Sequence, residues 1–551
     1  MEPQSAYAGR WVALVRGKIV AQGETREQVF MFARHSRSKE KVEIRFMPAM
    51  PISSPVLEAV RALVPPSEKV YLVGGAVRDA VMGKVIHDFD FACLNGVGMA
   101  KQVADALSAA YFPLDVDHDT GRAIIQHADG TRDFLDFAGF RGETLEQDLQ
   151  RRDFTVNAIA MDLHTGEIID PLGGVNDIRA RRIRACSPHS LSADPLRILR
   201  AVRMAAGFGF TIDVETRGLM KESAALLTGV SAERQRDELM KILAGPRPDA
   251  AIRALDMLGV LPHILPEVQA LKGVEQTAPH VYDVWNHTLA VLRHLETILD
   301  LLSPRYDEVK ANADLMNGLL VLRLGRYREQ ISSHLGALLN PDRSARAVLF
   351  LAALYHDINK PHTKTVEEGG RVRFLGHDEM GAKTASNRGI ALHLSNDEVQ
   401  RLQLTIKHHM RMHGFSSRRQ AGHEISRKSM YRFFRDSGES GVDLILLGLA
   451  DTRATYDHTL TQEYWANVLD VSRALLEAWY EKREEIIVPP VLLNGDDLIG
   501  TFKMKPGPEM GKLLEAVRES QAAGHIATRE EALVFVRGWI EKARADSAPS
   551  N

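Results

Sequence analysis

Two adjacent glycines and, further along the same stretch, two aspartates one residue apart mark LVGGAVRDAVMGKVIHDFDFA, Leu72 to Ala92. The run VYLVGG reads as a short buried strand ending in a turn, where Gly74 and Gly75 leave backbone N–H groups open to an approaching phosphate. AVRDAVMG then reads as a helix, so an anion on that turn would also face a helix N-terminus. In a strand, a period of two sends Asp88 and Asp90 to one side and Phe89 and Phe91 to the other. Two carboxylates held side by side repel unless a cation lies between them; the alternative is a solvated strand face. A triphosphate on the turn, with divalent metal on Asp88 and Asp90, is the apparatus of phosphoryl or nucleotidyl transfer.

Such a site needs a further carboxylate from a neighbouring strand. RDFLDF offers it: Asp136 alternates with Leu135 and Phe137 and is the preferred residue, with a surface aspartate near a turn as the alternative reading, while Asp133 falls on the opposite face. RRDFTVNAIAMDL adds Arg152, Asp153 and Asn157, which suit the ribose and phosphate of a nucleotide.

The elements that must hold these residues follow from the pattern along the chain. Residues 1–50 suggest a small strand-turn-strand-helix unit, with a hairpin turning at Arg16 to Lys18 and a later strand VEIRFM; no chemistry is assigned to it. Residues 51–185 mix strand and helix periods, as in an α/β or α+β head. Beyond Leu191 almost everything is helical in period, broken at GPRP, LPHILP and PGP. At 551 residues the chain exceeds one ordinary core. Two cysteines, Cys93 and Cys186, make no disulfide framework and suit a reducing cytoplasm. The absence of a long apolar run or a signal-peptide pattern leads us to expect a cytoplasmic protein with no membrane partner. A net charge of −3 argues against a uniformly basic coat, yet RRDF, RARRIR, RILRAVR and RFFR are locally positive, several of them flanking the proposed site.

Taken in order, LVGGAVRD, HDFDFA, RRDFTVNAIAMD, IIDPLGG, DPLRILRAVRMAAGFGF and ERQRDELMKIL resemble the bacterial class II CCA-adding enzymes and poly(A) polymerases, over roughly Val70 to Pro266. The resemblance implies an α+β fold with a polymerase-beta-like nucleotidyltransferase head, a mixed sheet with helices, followed by an extended all-helical body. It implies extension of an RNA 3′ end, most simply that of tRNA, from CTP and ATP with Mg2+. On it, Asp88 and Asp90 would be the metal ligands, Gly74, Gly75 and Arg78 would bind triphosphate, and Arg152, Asp153 and Asn157 would hold the sugar. Arg200 and Arg203 join the nucleotide-binding candidates.

The same resemblance assigns DPLR to base selection. Cytosine and adenine share an exocyclic amine beside a ring-nitrogen acceptor. Asp194 can accept from the amine and Arg197, three residues on and on the same helical face, can donate to the ring nitrogen; uracil and guanine reverse the pattern. Such a pairing is worth about 1–3 kcal/mol against a wrong base. An Asp194 N-cap ahead of Pro195 fits the same letters. Many family members carry Glu where this chain has Ala193, which bears on fine selectivity.

A second constellation lies in the helical region: VWNHTLAVLRHLE, LAALYHDINKPHT, FLGHDEMGAK, IKHHMRMH and GLADTRAT each present His or Asp, a donor mix that suits a divalent transition metal. The series resembles an HD-type phosphohydrolase domain, which implies His287, His356, Asp357, His377, His409 or its neighbour His408, and Asp451 as ligands. Asn359 stands where glycine is common in that motif. The tail from LLNGDD onward resembles the C-terminal segment of nucleotidyltransferases that carry an HD domain. The expected domains are therefore 1–50, the head 51–185, a helical neck 186–272 for base selection and RNA binding, the HD domain 273–460 and a helical tail 461–551. The competing readings are a poly(A) polymerase or a CC-only or A-only enzyme within this class, chiefly an HD phosphohydrolase, or an RNA-binding protein with both sites silent.

Overall fold

The computed structural model describes residues 7, 9–36, 41–47, 54–84, 86, 88–127, 129–312 and 314–546; the remainder of the expected 1–50 unit lies outside the described residues. The chain forms two compact units: the described residues up to Val230 with Leu258–Val260, and Ser231–Met257 with everything described beyond Leu261.

The first unit opens with β1 (Arg10–Val15), β2 (Lys18–Gly23), α1 (Arg26–Ser36) and β3 (Glu43–Met47), whose strands pair in the order β2-β1-β3. The hairpin turns where the sequence predicts it, at Arg16 and Gly17, both with positive φ. Next come α2 (Pro55–Leu63), β4 (Tyr71–Val73), α3 (Gly75–Val81), β5 (Asp88–Cys93), α4 (Gly96–Ala106), β6 (Ala110–Asp115), β7 (Thr120–Gln126), β8 (Arg132–Gly139), α5 (Leu145–Gln150), β9 (Ala160–Asp162), β10 (Ile168–Ile169) and α6 (Gly174–Arg179). Helix α2 starts cleanly because the Ser54 hydroxyl accepts the Leu57 N–H and Pro55 needs no donor at the first turn.

The head is a seven-stranded mixed sheet in the order β10-β9-β4-β5-β8-β7-β6, in which β5 and β8 run parallel and the other neighbours antiparallel. Phe89, Phe91, Leu135 and Phe137 are buried from one face of β5 and β8, and the rings of Phe91 and Phe137 stack with centroids 4.6 Å apart. Alternation then commits the neighbouring positions of both strands to the other face. The head continues through α7 (Ser190–Ala193) and α8 (Arg197–Phe208).

The second unit is helical, with two short hairpins, 338–344 and 364–374, that the sequence reading did not anticipate. Helices Ala345–Tyr355 and Ser440–Tyr456 are buried almost all round, whereas Val284–Leu301 is buried on one side and keeps Asn286, Arg293 and Asp300 exposed. Among the described residues no helix is long and apolar enough to cross a membrane.

Candidate active site and metal centre

The parallel register of β5 and β8 sets Asp90 opposite Asp136 and Asp88 opposite Phe134, so Asp88, Asp90 and Asp136 share the face that the phenylalanines leave. Asp133 lies on the other side and meets His127 at 2.7 Å. Strand β4, on the far side of β5, delivers the glycine turn: Val73 pairs with Asp90, and Gly74 follows with φ 71° and ψ −130°, a conformation open only to glycine. A Cβ on Gly74 would lie 3.3 Å from an Arg152 guanidinium nitrogen and 3.4 Å from an Asp90 carboxylate oxygen. Turn, cation and carboxylate therefore converge on one point.

Burial and the facing Asp136 carboxylate push the Asp90 carboxyl above the usual range, with Asp88 adding to the rise and Arg152 and Arg122 opposing it. Asp136 is itself gripped by Arg122 through two bonds of 2.6 and 2.7 Å. Three carboxylates with surplus negative charge suit a hard divalent cation.

The arginine motif is organised from behind. Asp153, 7 % exposed, accepts from the Phe154 N–H, from Asn157 at 3.1 Å and from Arg200, whose guanidinium approaches to 2.8 Å. Burial raises the Asp153 carboxyl and these partners, Arg200 first, outweigh it, holding the group below the usual range. Asn157 in turn accepts from Arg78 at 2.5 Å, and Arg78 lies over the Phe208 ring at 4.6 Å. Arg152 is fixed by Asp148 at 3.0 Å. Asp153 and Asn157 are thus engaged with arginines, and Arg78 and Arg152 are the cations beside the turn. Arg203 is half-buried on α8.

The spacing predicted Asp194 and Arg197 on one helical face, but Asp194 does not share a helix with Arg197. Its backbone is extended, φ −144° and ψ 93°, because the following Pro195 disfavours the helical region, and α8 begins at Arg197. The two still approach to 4.0 Å, while Arg197 donates to the Arg151 and Arg152 carbonyls and the Ser190 hydroxyl. Arg197, Arg151, Arg141 and Ser190 line a cavity of about 900 Å³.

In the helical unit, His287, His356, Asp357, His377, His409 and Asp451 come together. His287, His356 and Asp357 form one group of converging ligand atoms, and Asp357, His377 and His409 another, with Asp357 common to both. The Nε2 atoms of His287 and His356 lie 3.4 Å apart, those of His377 and His409 3.2 Å apart, and His287 Nε2 lies 3.1 Å from Asp451. His356, His377 and His409 each donate Nδ1–H to a carbonyl, of Ala353, Phe374 and Ile406, which turns their Nε2 atoms inward. Burial pushes the His409 imidazole down to about 3, the neighbouring His356 adding to it, so it stays neutral, the ligand form. For Asp357 and Asp451 burial opposes ionisation, but His356 and Lys360 beside the first and His413 and His287 beside the second hold both well below the carboxylate range. Buried imidazole Nε2 atoms pointing at one another around ionised carboxylates fit divalent metal. His409 joins this cluster, whereas His408 is half-buried and outside both groups.

Three neighbours escaped the sequence reading. Lys360 meets Asp357 at 2.6 Å, His413 meets Asp451 at 2.6 Å, and His280 packs its ring against His287. Lys360 and His413 stand three and four residues, about one turn each, from the recognised ligands Asp357 and His409, a spacing that was there to be read. A cavity of about 470 Å³ opens onto Asp357, His377, His409 and Asp451. Asn359, in the glycine position of the motif, bonds Thr384 at 3.1 Å.

The sequence matches the Poly A polymerase head domain over residues 70–184, a probable RNA-binding segment of the same polymerases over 209–272, the HD domain over 284–432 and tRNA nucleotidyltransferase domain 2 over 484–536. Residues 2–49 match a family of unknown function. The chain is 32 % identical over 482 residues to the A-adding tRNA nucleotidyltransferase of Deinococcus radiodurans, covering 86 % of this chain and 95 % of that one. It belongs to the tRNA nucleotidyltransferase family. The CC-adding enzyme of Thermus thermophilus is 31 % identical over 493 residues, 87 % of this chain and 96 % of its own. A CCA-adding enzyme solved with CTP shares the fold, with a TM-score of 0.58 at 23 % identity over 89 % of this chain and 97 % of that one. The protein is a nucleotidyltransferase with an α+β head and an HD-containing helical body, and its family implies dependence on divalent metal.

Proposed function

We propose that this nucleotidyltransferase adds CMP and AMP from CTP and ATP to tRNA 3′ ends, completing CCA in whole or in part. The observation that carries the reading is the convergence of Gly74, Arg152 and Asp90 at one point, with Asp88 and Asp136 on the same sheet face. Asp88, Asp90 and Asp136 would hold Mg2+, which when bound lowers the pKa of an attacking hydroxyl and neutralises charge on the triphosphate. The Gly74 turn admits the phosphates at backbone distance, and Arg78 and Arg152 meet their charge. Asn157, itself held by Asp153, keeps Arg78 in place, and Asp148 keeps Arg152 in place. The terminal ribose oxygen forms its bond to the α-phosphorus as the bridge to the β-phosphate breaks, and pyrophosphate leaves. Asp194 and Arg197 would read the shared edge of cytosine and adenine, and the five-part division into N-terminal unit, head, neck, HD domain and tail remains our proposal. The HD cluster would hold divalent transition metal on His287, His356, Asp357, His377, His409 and Asp451 and hydrolyse a phosphate ester.

Incubating the protein with tRNAs that end before, within and after CCA, each triphosphate supplied singly, tests the reading. Incorporation of CMP or AMP that Asp88→Ala abolishes and His356→Ala spares is expected; no incorporation onto any of these ends would overturn it. Asp194→Ala should admit UTP or GTP more than it weakens triphosphate binding, and unchanged discrimination would remove the base-reading pair.

A further inference from the structure

The N-terminal unit, to which no chemistry was assigned, carries its own charge. Residues 1–49 hold nine Lys and Arg against five Glu, a net +4 in a chain whose total is −3. Helix α1 buries Val29 and Ala33 completely. The stripe one residue further round, Arg26, Phe30 and Arg34 at spacings of four, lies at the surface. Phe30 is 41 % exposed, next to Met31 at 67 % and Phe32 at 52 %. The Arg34 guanidinium lies 5.4 Å from the Phe30 ring centroid. Phe30 and Arg26 also line a hollow of about 1110 Å³ with Arg16 and Lys41. Glu27, Glu43 and Glu167 share its walls, Glu43 being held by Arg45 at 2.7 Å.

Exposed aromatic side chains cost solvation unless something covers them, and a helix that presents a ring between two arginines selects what that is. We propose that this face binds a single-stranded stretch of RNA, Phe30 stacking on a base while Arg16, Arg26, Arg34 and Lys41 meet its phosphates. Stacking platforms interleaved with cations take single strands irrespective of sequence. A protein partner would be offered the same apolar ring, but around it Arg16, Arg26, Arg34, Lys41 and Arg45 outnumber Glu27, Glu43 and Glu167, and that local excess favours a polyanion. The unit is anchored to the head: Arg179 at the end of α6 donates to the Gly9 carbonyl and lies 5.2 Å from the Phe46 ring, and Glu167, from the turn joining β9 to β10, closes the hollow. Strand β10 ends the sheet that holds Asp88 and Asp90. RNA engaged here is therefore tethered to the head that carries the candidate active site. The inference rests on the RNA-directed reading only for the source of the strand.

The full-length protein is titrated with labelled tRNA and with an unrelated single-stranded oligoribonucleotide at several salt concentrations, without triphosphate. In Arg26→Ala/Lys41→Ala the slope of log K against log salt should fall by about 1.4, two single-strand phosphate contacts at about 0.7 each. Phe30→Ala should weaken binding roughly tenfold with little change of slope, and Phe30→Tyr should restore it. Loss on both RNAs marks a general single-strand site, and loss on tRNA alone marks a segment of tRNA; either supports the proposal. Unchanged affinity and slope in both variants overturn it, as does unchanged RNA binding accompanied by a shift in sedimentation, which gives the face to a second copy. Incorporation of CMP and AMP by the unmodified protein is measured separately. Its failure with the slope change intact would remove the polymerase reading and leave this site standing.

Discussion

Adding one methyl group at Gly74 tests the active-site geometry most directly. Gly74→Ala acts in two separable ways. The backbone, at φ 71° and ψ −130°, lies where L-residues are strained by about 1–3 kcal/mol. At about 2–4 °C per kcal/mol for a unit of this size, the melting temperature of the head should fall by roughly 2–12 °C. The new Cβ also sits 3.3 Å from Arg152 and 3.4 Å from Asp90, in the space where a phosphate must approach the turn. Displacing one or two charge-assisted hydrogen bonds, about 1.5–3 kcal/mol each, lowers kcat/KM for the triphosphate by about tenfold at the least and by about 20,000-fold at the most. Gly83→Ala is the control: φ there is 72° with nothing within 4 Å of the new Cβ. It should lose stability yet keep its kcat/KM. Single-nucleotide incorporation and thermal denaturation on the two variants separate strain from cradle. A Gly74→Ala enzyme that turns over triphosphate as well as Gly83→Ala does would refute the placement of the phosphates on this turn.

Asp90→Asn should make the metal-free protein more stable at neutral pH. The folded Asp90 carboxyl is raised by burial first and by Asp136 next, so its ionisation opposes folding above the unfolded value near 3.9; the difference should shrink as pH falls through that raised value and vanish below about pH 4, as read by melting in chelator. In the helical unit, Asp357→Ala should remove all bound divalent metal, because both ligand groups share that residue, whereas His287→Ala should empty only one; elemental analysis of purified protein reads the stoichiometry, and equal content in the two variants would contradict the shared carboxylate. Neither change should alter nucleotide incorporation.

Much of this could be read from the letters alone. Alternation in DFDFA committed the two phenylalanines and two aspartates of β5 to opposite faces, and in RDFLDF it set Asp136 apart from Asp133, Leu135 and Phe137 of β8, because a strand has only two sides. Gly74 announced a turn because other residues resist its dihedrals. The histidine and aspartate pairs of the helical body announced a metal donor set by type and order. Which residues meet across the chain was settled by folding. Asp90 faces Asp136 because β5 and β8 run parallel in one particular register, and a slip of one residue would have sent Asp136 to the far face. Asp153 and Asn157 became holders of Arg200 and Arg78 because they are buried, where a polar group must find a partner from whichever segment packs against it. Asp194 left the helix for want of a permitted backbone angle before Pro195. His409 entered the metal cluster, and His408 was turned away from it, by the rotation of the chain about a helix axis, a quantity set by packing of whole faces and carried by no local run of residues.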